Sequence, residues 1–138
     1  MADTKVATDV TVASIEEMEP VHGGLMRRAR ATLGVTGWGM QVFDLPPDFE
    51  HYPEHAHGEG EPEAGQEEVY VPLAGSAALV AGGETFELRP GVWARVGPGQ
   101  PRRLLPGADG FRYLAIGGVP GSFVAGEWSE LGGPVPGE

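Results

Sequence analysis

The sequence predicts an all-β domain, a barrel or a sandwich, from three observations. Short apolar and β-branched runs of strand length follow one another from residue 35 to residue 116. The 23 glycines and 13 prolines lie between these runs, as turn residues do, and are not massed in one tract. No repeat of solenoid length is present. A length of 138 residues suits one domain with a single core.

Both ends of the chain lie outside this β pattern. Residues 1–34 form an N-terminal arm, in which residues 10–13 alternate like an edge strand. Leu25, Ala29 and Leu33 have helical spacing, which predicts a short helix ended by Gly34. Residues 118–138 form a Gly- and Pro-rich tail, and we expect Phe123 and Trp128 to pin it to the barrel or to a second subunit.

The predicted strands are residues 37–45, 51–57, 69–73, 77–80, 85–88, 92–96, 102–105 and 111–116. Gly75 is expected to turn the chain between the third and fourth of these strands. Gly82 and Gly83 read as a two-residue hairpin loop. Residues 106–110 separate the last two of these strands. The residues expected first of all in the core are Trp38, Met40, Phe43, Tyr70, Phe86, Trp93, Phe111 and Tyr113.

The charge and the absence of cysteine exclude several classes of function. A net charge of −11 argues against nucleic acid and anionic membranes as partners, because both require basic patches. Without cysteine there are neither disulfides nor thiolate chemistry. The N-terminus leads into no apolar leader, and no apolar run is long enough to cross a membrane. We therefore expect a cytoplasmic protein.

The sequence from His55 to Glu68 carries the strongest functional signal. His55 and His57 would lie on the same side of an extended strand, because strand side chains alternate. Two imidazoles and a carboxylate from the next strand are a usual set of ligands for a divalent transition metal. The alternative is two surface histidines beside a solvated loop, since residues 58–68 carry five glutamates. His51 would lie about 13 Å from His55, too far to share a metal.

The spacing H-x-H followed by E-x6-G resembles the first motif of the cupin superfamily. In this resemblance His55, His57 and Glu68 are the metal ligands, and Gly75 closes the motif. Only one of the adjacent residues Glu67 and Glu68 can face the barrel, and the E-x6-G spacing of the motif selects Glu68. Ten residues separate His57 from Glu68, more than the family pattern has.

The second cupin motif is only partly present. Gly91 and Gly99 match it, but Arg102 stands at the position of the third histidine ligand and Pro106 at that of an asparagine. In the first motif, Phe49 replaces a usual glycine. The resemblance covers residues 35–117 and implies a double-stranded β-helix, a jelly-roll barrel. It also implies a bound divalent ion (Zn, Fe, Mn or Ni) and a homodimer.

Arg102 leaves three interpretations open. It would repel a metal, it would pair with Glu68 in a metal-free site, or it would clamp an anionic ligand beside a metal. Because Arg103 follows directly, alternation allows only one of the two arginines to face inward.

Two functional hypotheses follow, and the sequence identifies no catalytic residue. In the first, the chain is a small cupin that binds a divalent metal and an organic ligand, with a metalloenzyme as one form of it. In the second, it is a metal-free module that binds or senses a small molecule and keeps a vestigial metal site. The candidate ligand-binding residues are Arg102, Tyr70, Trp38 and Met40.

Overall fold

The computed structural model describes residues 8–60 and 63–126. Its strands are β1 (Pro20–Val21), β2 (Met26–Arg27), β3 (Gly39–Leu45), β4 (Glu67–Ala81), β5 (Glu84–Leu88), β6 (Ala94–Val96) and β7 (Arg102–Gly118). Helical structure in this part of the chain consists of α1 (Ala29–Leu33) and two 3-10 turns, Ile15–Glu17 and His22–Gly24. The prediction of an all-β fold with little helix near the N-terminus is confirmed. Within the described ranges, no helix is long and apolar enough to span a membrane.

The long strands β4 and β7 form the spine of the fold. The seven strands form one sheet in the order β1-β2-β3-β7-β4-β5, with β6 also paired to β4. β4 and β7 are antiparallel over nearly their whole length, from Glu67 opposite Gly118 to Ala81 opposite Arg102. At one end of this spine β3 and β6 flank the pair, and at the other end β5 extends it.

Gly75 lies at a bulge inside β4, so the prediction that the chain turns at this residue is wrong. The register between β4 and β7 shifts on both sides of Gly75, and such bulges bend strands. Gly75 has a φ of 73°, and a Cβ at this position would overlap the carbonyl oxygen of Gly110. The separation of two strands at residues 106–110 is also wrong, because β7 runs through these residues. The hairpin at Gly82 and Gly83 is confirmed, with both residues at positive φ.

The core follows the alternation of the strands. Its buried residues are Leu45, Tyr70, Ala77, Leu79, Leu88, Val96, Leu104, Phe111, Tyr113 and Ala115. Three residues expected in the core are instead largely exposed: Trp38 by 52%, Phe86 by 46% and Trp93 by 66%. Trp38 and Trp93 lie just before β3 and β6 rather than within them, and Phe86 lies in β5, of which only Leu88 is buried.

The N-terminal arm differs in part from its prediction. The edge strand expected at residues 10–13 is wrong, because Val10 and Val12 are exposed and unpaired with any described strand. The predicted helix is confirmed over Ala29–Leu33, and Gly34 ends it in the left-handed conformation at φ 77°.

In the C-terminal tail, Phe123 is exposed, so it is not packed on this barrel. Trp128 lies outside the described residues.

An ion-pair cluster ties the arm to the barrel. Arg112 on β7 donates to both carboxylate oxygens of Asp44 on β3, and Arg27 on β2 donates to one of them at 3.3 Å. Arg112 also donates to Glu16 at 3.2 Å. Burial alone would raise the pKa of Asp44, but the hydrogen bonds and charges of Arg112 and Arg27 outweigh it and lower that pKa.

Candidate metal centre

The first residue of β7 and the loop before it position the two histidines. His55 N–H donates to the carbonyl oxygen of Arg102 at 3.0 Å, and Arg102 N–H donates back to His55 at 2.9 Å. His57 N–H donates to the carbonyl oxygen of Pro98 at 2.7 Å. The strand predicted at residues 51–57 is therefore reduced to one isolated bridge in the structure. The two imidazole rings lie 5.2 Å apart, centre to centre.

β4 brings a carboxylate to these histidines. Glu68 and Tyr70 have the same parity on the strand and both face inward, whereas Glu67 faces outward and accepts a hydrogen bond from Arg95 at 2.9 Å. The choice of Glu68 over Glu67 is thus confirmed as a matter of orientation. Glu63 in the acidic insertion is exposed, as expected of a solvated loop.

One oxygen of Glu68 is the centre of the cluster. Its Oε1 lies 2.9 Å from His57 Nε2, 3.2 Å from Arg102 Nη2 and 3.9 Å from His55 Nε2. Tyr70 Oη donates to the same oxygen at 3.0 Å. The side chains of His57 and Glu68 are only 8% and 12% exposed, so water contributes little to their solvation. The structure therefore brings the three candidate metal ligands together.

Arg102 supports Glu68 from inside the barrel. Its side chain is 0% exposed, and its Nη1 donates to the carbonyl oxygen of Gln100 at 3.0 Å. Arg103 points the other way and donates to the carbonyl oxygen of Glu50, so the expectation that only one arginine faces inward is confirmed. Because its side chain is fully buried, Arg102 exposes no donor to a ligand in either cavity. In this structure it holds the carboxylate in place.

The surroundings keep Glu68 ionised and Tyr70 protonated. Burial would raise the pKa of Glu68, but the histidines His55 and His57, the charge of Arg102 and the hydroxyl of Tyr70 together lower it. Burial raises the pKa of Tyr70 far above its ordinary value. Tyr70 is therefore a hydrogen-bond donor to a carboxylate at every ordinary pH.

The three residues fit a divalent transition metal. Two imidazoles and one carboxylate are a known donor set for such ions, with positions left open for a ligand. Their ligand atoms all lie within 4.8 Å of one another. Any two ligand atoms of one ion lie at most about 4.3 Å apart, so binding an ion would draw the group closer together. Tyr70 and Arg102 would then orient the carboxylate as second-sphere groups do.

Two cavities flank the triad and share Met26 and Phe43 as a wall. The Trp38 cavity, of about 550 Å³, includes Glu68 in its lining. The candidate ligand-binding residues Trp38 and Met40 also line it. The aromatic cavity, of about 560 Å³, is lined by His22, Leu25, Met26, Phe43, Leu45, Phe49, His51, Tyr52, Pro53 and His55. Tyr70 contributes to neither lining and contacts Glu68 instead.

Tyr52 is the neighbour of the triad that the sequence did not reveal. Its ring centre lies 5.6 Å from that of His55, and its hydroxyl lies 3.2 Å from the hydroxyl of Tyr113. Strand alternation would place Tyr52 opposite His55, but the chain here is not a regular strand. His51 packs edge-on against Phe49 and lies outside the three-residue group, as its distance from His55 predicted.

Comparison with known proteins identifies the fold. No family model matches the sequence, and no curated protein matches it significantly. A cupin protein from Bacteroides fragilis superposes with a TM-score of 0.67 at 23% identity, over 94% of this chain and 98% of that one. A Cupin 2 conserved barrel domain protein from Salinispora arenicola gives 0.61 at 16% identity, over 85% and 93%.

A third solved structure is a sugar phosphate isomerase of the cupin superfamily from Silicibacter pomeroyi. It superposes with a TM-score of 0.60 at 18% identity, over 75% of this chain and 73% of that one. These likenesses show that the chain has the cupin fold. The resemblance seen in its sequence is therefore confirmed as far as the fold is concerned.

Proposed function

We propose that the chain is a small-molecule-binding cupin in which His55, His57 and Glu68 hold a divalent transition metal. The observation that carries the proposal is the convergence of three ligand atoms within 4.8 Å between two cavities. These residues would hold the metal beside both cavities, from which an organic ligand would reach it. Zn, Fe, Mn and Ni all suit the donor set.

The residues around the metal have separate roles. His55, His57 and Glu68 hold the ion, which when bound supplies a Lewis acid for an oxygen atom of the ligand. Tyr70 and Arg102 fix Oε1 of Glu68 and keep this carboxylate ionised. The isomerase likeness suggests sugar phosphates. A phosphate would meet Arg30 in the lining of the Trp38 cavity, but no Lys or Arg among the described residues that line the aromatic cavity.

Elemental analysis of protein purified without chelator or metal-affinity resin tests the metal centre. We expect a transition metal in equimolar amount, and calorimetric titration of the apo protein with Zn²⁺, Ni²⁺ and Mn²⁺ should give one site. His57→Ala removes a ligand and should abolish that site. His51→Ala, on a neighbouring exposed histidine, is the matched control and should leave it unchanged.

A metal-free binding module is the second candidate, and the position of Arg102 favours it. The guanidinium already compensates the charge of Glu68 at 3.2 Å, so the buried carboxylate needs no metal for neutrality. If the wild-type protein binds no metal while Arg102→His does, the natural protein is this module. The metal centre is then a vestigial site.

We propose in addition that the protein is a homodimer that pairs through β5 and β6. β5 is an edge strand of the sheet, and its exposed Phe86 lies beside the exposed Trp93 along a groove of about 1100 Å³. A second copy would cover both the open edge and the aromatic side chains. Analytical ultracentrifugation should show a dimer that Trp93→Glu dissociates. A wild-type monomer at every accessible concentration contradicts the proposal.

A further inference from the structure

The aromatic cavity beside His55 has the character of a binding site for a ring. Phe43, Phe49 and Tyr52 contribute their rings to its wall, and Leu25, Met26 and Leu45 contribute aliphatic carbon. Its volume of about 560 Å³ falls within the range of sites for small organic ligands, roughly 300–1000 Å³. His55, a candidate metal ligand, lies in the same wall. A molecule in this cavity therefore reaches the metal centre without entering the Trp38 cavity.

The polar side chains of the aromatic cavity are unusual for this protein. No acidic side chain of the described residues lines this cavity, whose polar side chains are those of Tyr52 and three histidines. His22 and His51 are exposed at the rim, and His55 lies at the triad. A carboxylate ligand in this cavity thus meets the imidazoles of His22 and His51 at the rim and no acidic side chain in the described lining.

The charges of the triad point to the same kind of ligand. Glu68 contributes one negative charge and the fully buried Arg102 one positive charge, so a divalent ion leaves the centre with a surplus of two positive charges. A buried surplus of positive charge destabilises the site unless an anion compensates it. An anionic group bound to the metal from the side of His55 compensates part of that charge.

We infer that the ligand is a carboxylate carrying an aromatic ring, with the ring in the aromatic cavity and the carboxylate on the metal beside His55. The position of the carboxylate rests on the metal centre of the proposed function, whereas the position of the ring rests on the cavity alone. Phe49 forms part of the wall, away from the three candidate metal ligands, and determines the fit of the ring.

Calorimetry on the full chain loaded with Zn²⁺ tests the inference with 3-phenylpropanoate as probe. Propanoate lacks the ring and 3-phenylpropan-1-ol lacks the charge. We expect the probe to bind at least about tenfold more tightly than either. Leu25→Trp fills the cavity and should abolish the preference for the ring, while Zn²⁺ affinity stays unchanged. Phe49→Ala opens the wall and should reduce that preference, and Phe123→Ala, on an exposed phenylalanine that lines neither cavity, is the matched control.

The outcomes separate the two proposals. Zn²⁺ binding without any preference for the ring overturns the inference and leaves the metal centre standing. An equal preference in wild type and both cavity variants, each shown to be folded, also overturns it. Binding of 3-phenylpropanoate without Zn²⁺ binding, with loss in Leu25→Trp, supports the cavity assignment and refutes the metal centre.

Discussion

Replacing Arg102 by His should tighten metal binding at least tenfold, because the change removes a buried positive charge next to the ion. Arg102 Nη2 lies 3.2 Å from Glu68 Oε1. A metal–oxygen bond adds about 2.2 Å at most, so an ion on that oxygen lies within about 5.4 Å of the guanidinium. At that separation a divalent ion and a unit charge repel by about 1.5 kcal/mol in water and about 6 kcal/mol at an effective dielectric constant of 20.

The smaller of these energies already corresponds to about tenfold in affinity. The new imidazole adds to the effect if it becomes a fourth ligand, so Arg102→Ala should tighten Zn²⁺ binding less than Arg102→His. Arg102→Lys keeps the charge and should leave the affinity near that of the wild type. Arg103→His, on the outward-facing neighbour, is the matched surface control.

Calorimetric titration of the apo variants with Zn²⁺ measures these differences. Because Arg102 is fully buried, thermal unfolding of each variant must first show that the barrel is intact. His57→Ala should weaken binding strongly in both the wild-type and the Arg102→His background. If a folded Arg102→His variant binds Zn²⁺ no better than the wild type, the charge of Arg102 does not act on the ion and the electrostatic reasoning fails.

Three further predictions follow from individual contacts. Tyr70→Phe removes the hydrogen bond to Glu68 Oε1 and should lower Zn²⁺ affinity by about tenfold with the fold intact, as calorimetry can show. Gly75→Ala should destabilise the barrel by more than about 3 kcal/mol in urea unfolding, because strain at φ 73° adds to a backbone clash. Gly83→Ala, at φ 77° but in open space, should cost only about 1–2 kcal/mol. Asp44→Asn should cost roughly 1 kcal/mol at pH 7. Since the pKa of Asp44 is lowered in the folded state, this difference should be complete above the unfolded pKa of about 4 and vanish as the pH falls through the folded value. A difference that grows in acid would contradict it.

The sequence was most informative where the structure obeys a local rule. Alternation along a strand allows only one of Glu67 and Glu68, and only one of Arg102 and Arg103, to face inward, and the cupin resemblance indicated which. The hairpin at Gly82 and Gly83 is equally local, since two residues of positive φ suffice to form it. These features required no knowledge of the partner strands.

Features that depend on a partner strand were not predictable. Gly75 looks like a turn residue, but the register shift of β4 against β7 makes it a bulge in a continuous strand. Phe86 and Trp93 look like core residues, and only the position of β5 and β6 in the sheet shows that they are exposed. Tyr52 reaches His55 because the chain there is irregular, which defeats any argument from periodicity.

The buried arginine has a last consequence, namely that metal and anion should bind cooperatively. With Arg102 in place, loading a divalent ion leaves two uncompensated positive charges, which a bound carboxylate partly neutralises. By linkage, saturating 3-phenylpropanoate must raise the Zn²⁺ affinity by the same factor by which Zn²⁺ raises the affinity for 3-phenylpropanoate. We expect this factor to be at least about tenfold in the wild type and smaller in Arg102→Ala, where the surplus of charge is reduced. Two calorimetric titrations, each with the other partner saturating, measure it. A factor of one in the wild type would mean that the anion and the metal do not share a site.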